Sequence, residues 1–376
     1  MKLPLLFLVC MNCAQADEWR TAWDGTAYAY AGSTAVLPGR PLDRESETLD
    51  TRLDFKAERE GLKIAFRPVL LARQSRNIYG NPSRREAYLS QWQARLEATP
   101  WNLSIGRDLL NWGPAQFRSP SSPFYFDNGR SDPMRELSGM DNLKAVWTPD
   151  VKTTVYLARI VDSGHVSPDP WKNTWLFKAD HVSEDWSGGI ALVDRGPFIG
   201  AHGQYTAMDA LLLYAEASSY RRTNALQSPA DLSLPFSVLP RSPRRTDALF
   251  GAAWTFEDGK SINCEYLRYG HGFDSSGKRA FLARIASPAA AFAPPLLGRD
   301  YLHLVLQSNL MESSGYWRLM FTHTDGSDEL SGYGEHALNG RTTLFALAVL
   351  PSGGAGREFS SLFSSSLTVG LRFALQ

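Results

Sequence analysis

Residues 49–58 read LDTRLDFKAE, with Leu49, Thr51, Leu53, Phe55 and Ala57 alternating with Asp50, Arg52, Asp54, Lys56 and Glu58. Successive side chains of an extended chain point to opposite sides, so this stretch predicts a β-strand with one apolar face and one charged face. A single strand of that kind suits a soluble sandwich as well as a membrane barrel, and repetition is what separates them. Residues 88–98 set Ser90, Trp92, Ala94 and Leu96 against Gln91, Gln93, Arg95 and Glu97, and 101–106 and 367–373 alternate in the same way. The alternation fades over 151–160. Recurrent segments of ~10 residues of this type describe strands with apolar side chains toward lipid and polar ones toward a lumen.

The linkers add a second pattern. From a first strand expected near 26–31, long linkers at about 32–48, 74–87, 111–141, 162–173, 222–246 and 271–300 take turns with short ones. The short ones are Glu60-Gly61, Thr99-Pro100, Pro149-Asp150, Glu184-Asp185, Met208-Asp209, Glu257-Asp258-Gly259 and Ser313-Ser314-Gly315. Short periplasmic turns and longer external loops are the habit of outer-membrane barrels, whereas a sandwich has no reason to sort its loops. The end of the chain predicts strands at 317–324, 330–337, 342–350 and 365–373, with Asn339-Gly340 as a type I′ turn on the short-loop side. The sum is an all-β transmembrane antiparallel barrel of about 18 strands, in the range 16–18, with both termini in the periplasm.

The opening MKLPLLFLVCMNCAQADEWR has one lysine, an apolar run too short to span a bilayer, and Ala14-Gln15-Ala16. It predicts a signal peptide over 1–16, leaving 17–376 as a single barrel domain outside the cytoplasm. Cys10 and Cys13 depart with that segment, so Cys264 stands alone and no intramolecular disulfide is expected. The 39 basic and 39 acidic residues balance, and no basic run points to nucleic acid.

Within this frame the stretch 111–141, NWGPAQFRSPSSPFYFDNGRSDPMRELSGMD, is unusually long for a connection. Its aromatics Trp112, Phe117, Phe124, Tyr125 and Phe126 argue against disorder. A ring of 16 to 18 strands leaves an aqueous channel unless something fills it. The expected lumen lining is Asp50, Arg52, Asp54, Lys56, Glu58, Gln91, Gln93, Arg95 and Glu97, of both signs. The long stretch is expected to fold into the lumen and narrow it, with Arg118, Arg130 and Arg135 facing Asp127, Asp132 and Glu136. These charges either meet a solute or pair with the wall and hold the loop in place. Arginine forks would suit carboxylate, sulfate or sugar-acid groups.

The run 106–139, GRDLLNWGPAQFRSPSSPFYFDNGRSDPMRELSG, resembles a Gly-Arg…Trp-Gly-Pro…Pro…Asp-Pro…Gly pattern of large Gram-negative outer-membrane porin-like barrels, over about a tenth of the chain. A Trp-Gly-Pro element also occurs in the capsule-assembly surface proteins of the Wzi type. The resemblance implies a channel for passive diffusion of small hydrophilic solutes. The weaker likeness implies a barrel for surface polysaccharide export or attachment. It further implies outer-membrane lipid and lipopolysaccharide as surroundings, and a closing strand whose terminal aromatic the barrel-assembly machinery reads. Here Phe373 is followed by Ala374-Leu375-Gln376, a departure from that ending.

No G-x-S-x-G, H-E-x-x-H, C-x-x-C or P-loop pattern occurs, so an enzyme is not expected, nor is a metal or cofactor. His271 and His323 fall near external ends beside Asp274 and Asp325, His336 beside Glu335 falls toward the short-turn side, and His165 and His181 are unconstrained. Two external loops stand out besides. Arg221, Arg222, Arg241, Arg244 and Arg245 crowd one almost without acid, which suits an anionic polymer or lipopolysaccharide phosphates. The other carries the mildly apolar run ARIASPAAAFAPP at 283–295, suited to a lid or a partner contact.

Overall fold

The structure, a computed structural model, describes residues 19–375 except 41, 133, 163, 165–170, 310, 312–313 and 355. The expected signal segment and His165 therefore lie outside the described residues. The chain runs β1 (Arg20–Val36), β2 (Glu45–Arg59), β3 (Leu62–Arg76), β4 (Ser83–Ala98), β5 (Trp101–Asp108), β6 (Met140–Trp147), β7 (Thr153–Asp162), β8 (Thr174–Val182), β9 (Trp186–Val193), β10 (Phe198–Met208) and β11 (Leu211–Tyr220). A two-stranded hairpin of β12 (Thr223–Gln227) and β13 (Ser237–Arg241) follows. Then come β14 (Arg245–Thr255), β15 (Ser261–Tyr269), helix α1 (Ser275–Ala283), β16 (Asp300–Gln307), β17 (Gly315–Thr324), β18 (Ser327–Ala337), β19 (Thr342–Gly353) and β20 (Phe363–Leu375). All strands except β12 and β13 form one antiparallel sheet of eighteen, which closes because β1 pairs with both β2 and β20. Closure leaves no edge, so every strand has a hydrogen-bonded neighbour on each side.

Alternation explains the wall. Leu103, Ile105, Leu157, Ile190, Leu213, Phe250 and Leu319 project outward into open surroundings, while their sequence neighbours face in. Trp23, Trp101, Trp147, Trp186, Tyr205 and Trp254 are also exposed and sit at the short-turn ends of their strands. Trp101 and Trp147 stack across β5 and β6, with ring centres 6.0 Å apart. An apolar band edged by aromatics is the outer surface of a barrel that meets lipid.

Three details differ from the sequence expectation. The linkers expected at 32–48 and 74–87 shrink to 37–44 and 77–82, because β1 to β4 carry their ladders far beyond the alternating stretches, as far as Ser33↔Glu45 and Glu45↔Arg76. Polar residues occupy both faces there, so periodicity stops before the strand does. Asn339-Gly340 is not a type I′ turn. Neither residue has positive φ, and Asn339 Oδ1 instead accepts the N–H of Arg341 and of Thr342, each at 2.9 Å. Among the described residues, the two-residue turns with both central φ positive are Glu60-Gly61 (43° and 83°) and Asp325-Gly326 (39° and 68°). The latter lies on the long-loop rim, so not every linker there is long.

The third is a bulge. Arg67 pairs with Gln91 and Pro68 with Leu89, so Ser90 has no cross-strand partner. Pro68, which lacks an N–H, sits where the ladder is already interrupted. The bulge turns Ser90 inward, although simple alternation placed it on the apolar face. Ser90 is fully buried, and its hydroxyl donates to Glu136 at 2.8 Å.

Candidate constriction site

The connection between β5 and β6, residues 109–139, has no helix or strand among its described residues, yet Ala115, Phe117, Ser119, Ser121, Ser122, Tyr125 and Asn128 within it are buried. The Trp112-Gly113-Pro114 element sets its course. Gly113 has φ of 91°, and a Cβ there would stand 2.4 Å from Glu216 Oε1, so a side chain would displace that carboxylate. Trp112 ties the turn down by donating Nε1–H to the Ser121 carbonyl at 2.9 Å.

Beyond the turn, successive backbone N–H groups meet two buried carboxylates. Glu216 on β11 accepts from Ala115 N (2.8 Å), Ser119 Oγ (2.6 Å), Ser121 N (3.1 Å) and Ser121 Oγ (2.8 Å). Glu265 on β15 accepts from Gln116 N (2.6 Å), Phe117 N (2.8 Å) and Tyr214 Oη (2.6 Å). Neither makes a salt bridge among the described residues, so these charge-assisted bonds are what compensate burial. Phe117 then packs on β16, with ring centres 4.7 Å from His303 and 5.8 Å from Tyr301. Arg318 on β17 donates to the Arg130 carbonyl.

The segment is also held to the wall on its own side. Glu136 accepts from Ser90 on β4 and pairs with Arg52 on β2 at 2.8 Å. Gly139 N donates to the Ser90 carbonyl at 3.0 Å. With β12 and β13 outside the ring, β15 is the thirteenth and β17 the fifteenth of its eighteen strands. From β5 these are eight and ten places away, and nine is diametrically opposite. The segment therefore crosses the bore from one wall to the other.

The six charged residues expected to face one another divide into separate groups. Asp127 pairs with Arg135 and lies 3.5 Å from Arg118. Arg118 also donates to the Phe117 carbonyl and Ser131 Oγ, both at 2.7 Å. Burial holds the Arg118 guanidinium below its ordinary range and pushes the Asp132 carboxyl up. Asp132 accepts from Met134 N at 3.0 Å. Arg130 turns to the backbone instead, donating to the Ala115 carbonyl at 2.9 Å, and Glu136 belongs to the near wall of β2 and β4.

The expected lumen-lining groups form a network on β2 to β5. Arg52 meets Asp50 at 2.6 Å, and Asp54 meets Arg67 at 2.8 Å. Lys63 bridges Glu97 (2.9 Å) and Glu58 (3.6 Å), Arg95 reaches Glu97 at 3.1 Å, and Gln93 reaches Asp108 at 3.3 Å. Lys56 is exposed and Gln91 partly so. Sequence reasoning passed over the groups that matter most to the crossing, namely Glu216, Glu265 and Arg318. A signal existed: Glu216 stands between Ala215 and Ala217, and Glu265 between Cys264 and Tyr266, each a carboxylate at an inward position of a strand.

The histidines take partners other than those nearest in sequence. His271 Nδ1 lies 3.2 Å from Asp247 rather than facing Asp274, which caps α1. His323 Nδ1 lies 2.6 Å from Asp328, while Asp325 meets Lys278 at 3.1 Å. His336 is on β18 near the short-turn rim, and His181 Nδ1 is 3.1 Å from Thr153 Oγ1. The apolar run 283–295 folds back, with Ala289, Ala290 and Ala293 against Leu226, Phe281 and Leu282 of the hairpin and α1.

No family model matches the chain, and no curated protein does. Among solved structures, OccK11 (OpdR) of Pseudomonas aeruginosa is similar with a TM-score of 0.55 and 12% identity, over 94% of this chain and 96% of that one. A mutant form of the Rhodopseudomonas blastica porin aligns with a TM-score of 0.48 and 11% identity, over 95% of this chain and 100% of that one. The porin-like resemblance read from the sequence holds for the fold: the chain is a closed eighteen-strand antiparallel barrel of the architecture seen in OccK11.

Proposed function

We propose that the chain is an outer-membrane channel through which small hydrophilic solutes diffuse passively, narrowed by the segment 109–139. The observation that carries this reading is the crossing itself, in which one connection is pinned to opposite walls through Glu136, Glu216 and Glu265. A segment placed across a bore sets its free cross-section, and its charges act on whatever passes. The cluster of Arg118, Asp127, Asp132 and Arg135 is the filter in this reading, with Arg130 and Glu136 as anchors. The outward apolar band supports placement in lipid and lipopolysaccharide, with insertion by the barrel-assembly machinery.

Single-channel conductance of the purified, refolded chain in a planar bilayer tests the proposal, alongside a variant lacking 117–135. Steady open steps that enlarge on deletion are expected. A barrel silent in both forms would overturn the channel reading in favour of a polysaccharide-attachment barrel with a filled bore.

A further inference from the structure

At the long-loop end, apart from the crossing segment, a cavity of about 320 Å³ lies between the β12–β13 hairpin, the start of α1 and the ends of β14 and β15. Its ionisable lining is Arg222, Arg245, Arg299, His271 and Asp274, three guanidiniums against one carboxylate. That carboxylate is engaged, because Asp274 Oδ1 accepts from Ser276 Oγ and Gly277 N, both at 2.8 Å. Arg222 and Arg299 each give one N–H to a loop carbonyl, Ala293 and Gly272, both at 3.1 Å, which leaves the rest of each fork free to bind. The Arg245 side chain has no hydrogen bond or ion pair among the described residues.

His271 supplies the independent sign of a ligand. Its side chain is 2% exposed and its ring stacks on Tyr220 at 4.1 Å. With Nδ1 turned to Asp247, the opposite nitrogen Nε2 is buried without a hydrogen-bond partner among the described residues. Leaving a buried polar atom unpaired is costly, and three cations lining the same cavity make a setting that an oxyanion completes. A phosphomonoester serves the ring in either protonation state: P–O⁻ accepts from the imidazolium, and P–OH donates to the neutral ring. Sulfate offers only the first. The cavity stands at the small end of ligand pockets, with room for a phosphate and a body of sugar size.

We propose that this cavity binds a phosphomonoester group, carried either by a lipopolysaccharide headgroup or by a free phosphorylated sugar. Calorimetric titration of the folded barrel in detergent with inorganic phosphate and with glucose 6-phosphate tests it. Saturable binding is expected, weakened about tenfold in Arg245→Ala by loss of one charge-assisted contact. Arg244→Ala serves as control, since Arg244 bonds Ser219 and does not line the cavity. The Arg245 side chain is exposed and has no partner among the described residues, so its truncation leaves the backbone ladder to Tyr220 intact, which heat-modifiable migration on a gel verifies. Titration with intact and with dephosphorylated lipopolysaccharide separates the sources. A preference for the intact form that Arg245→Ala abolishes assigns the headgroup, and saturation by the sugar phosphate without that preference assigns the free solute. No saturable binding of any phosphate probe, or binding that Arg245→Ala leaves unchanged, overturns the proposal.

Discussion

Gly113 shows how much of the crossing rests on single atoms. Its positive φ and the 2.4 Å gap to Glu216 Oε1 leave no place for a methyl group. In Gly113→Ala the turn opens or the carboxylate retreats from Ala115 N, at a cost on the order of 1–3 kcal/mol. The expected outcome is faster protease cleavage within 109–139 of the folded barrel; cleavage at the parent rate would contradict this account of the turn. Arg130 and Arg135 make a second pair of expectations. Arg130 grips the Ala115 carbonyl, whereas the Arg135 side chain is 45% exposed beside Asp127. Arg135→Ala should therefore shift ion preference toward cations with little change in open-state noise. Arg130→Ala should raise the noise and move the preference less. Reversal potentials and current records under a salt gradient distinguish the two, and an equal shift in preference would return Arg130 to the filter.

Elements were legible wherever one rule governed a whole stretch. The alternation of 49–58 and the sorting of linkers are properties of a strand between lipid and lumen, so they survive in sequence. Where the wall rises beyond the alternating stretches neither face is selected for apolarity, and the ends of β1 to β4 became invisible. The bulge at Ser90 was hidden for another reason, since a slip of one residue leaves composition unchanged and reverses direction. The crossing segment was recognisable as long and aromatic, but its anchors are backbone N–H groups and two glutamates from strands distant in sequence. Nothing in NWGPAQF names Glu216 or Glu265 as their partners. Glu136 offers the test at this scale. In Glu136→Ala the near end of the segment loses the Ser90 hydroxyl and Arg52 but keeps the Gly139 N–H to the Ser90 carbonyl, while Arg52 keeps Asp50. Conductance should rise, though by less than on deletion of 117–135, because the Glu216 and Glu265 anchors remain. A rise equal to that of the deletion would mean the far-wall anchors do not hold the segment by themselves.

For the molecule as a whole, the question is what surrounds the wall. Ile190 lies mid-strand in β9 and Val182 ends β8 at the short-turn rim, yet the protein itself covers them almost equally, at 48% and 52% exposed. Any difference in the cost of placing a charge at the two sites must then come from the medium outside. In water both Ile190→Arg and Val182→Arg would change stability by a few tenths of a kcal/mol, since surface substitutions free of special contacts rarely exceed ~0.5 kcal/mol. In a bilayer the mid-wall arginine should cost about 2–4 kcal/mol, and the one at the rim about 0–1 kcal/mol, because only the rim lets a guanidinium reach the headgroups. Reversible urea unfolding of the two variants in lipid vesicles reads the difference. A gap of ~2 kcal/mol or more would place the band between the rims in hydrocarbon. Equal, small costs would mean that water meets the outer face, and the channel reading would fall with the membrane it requires.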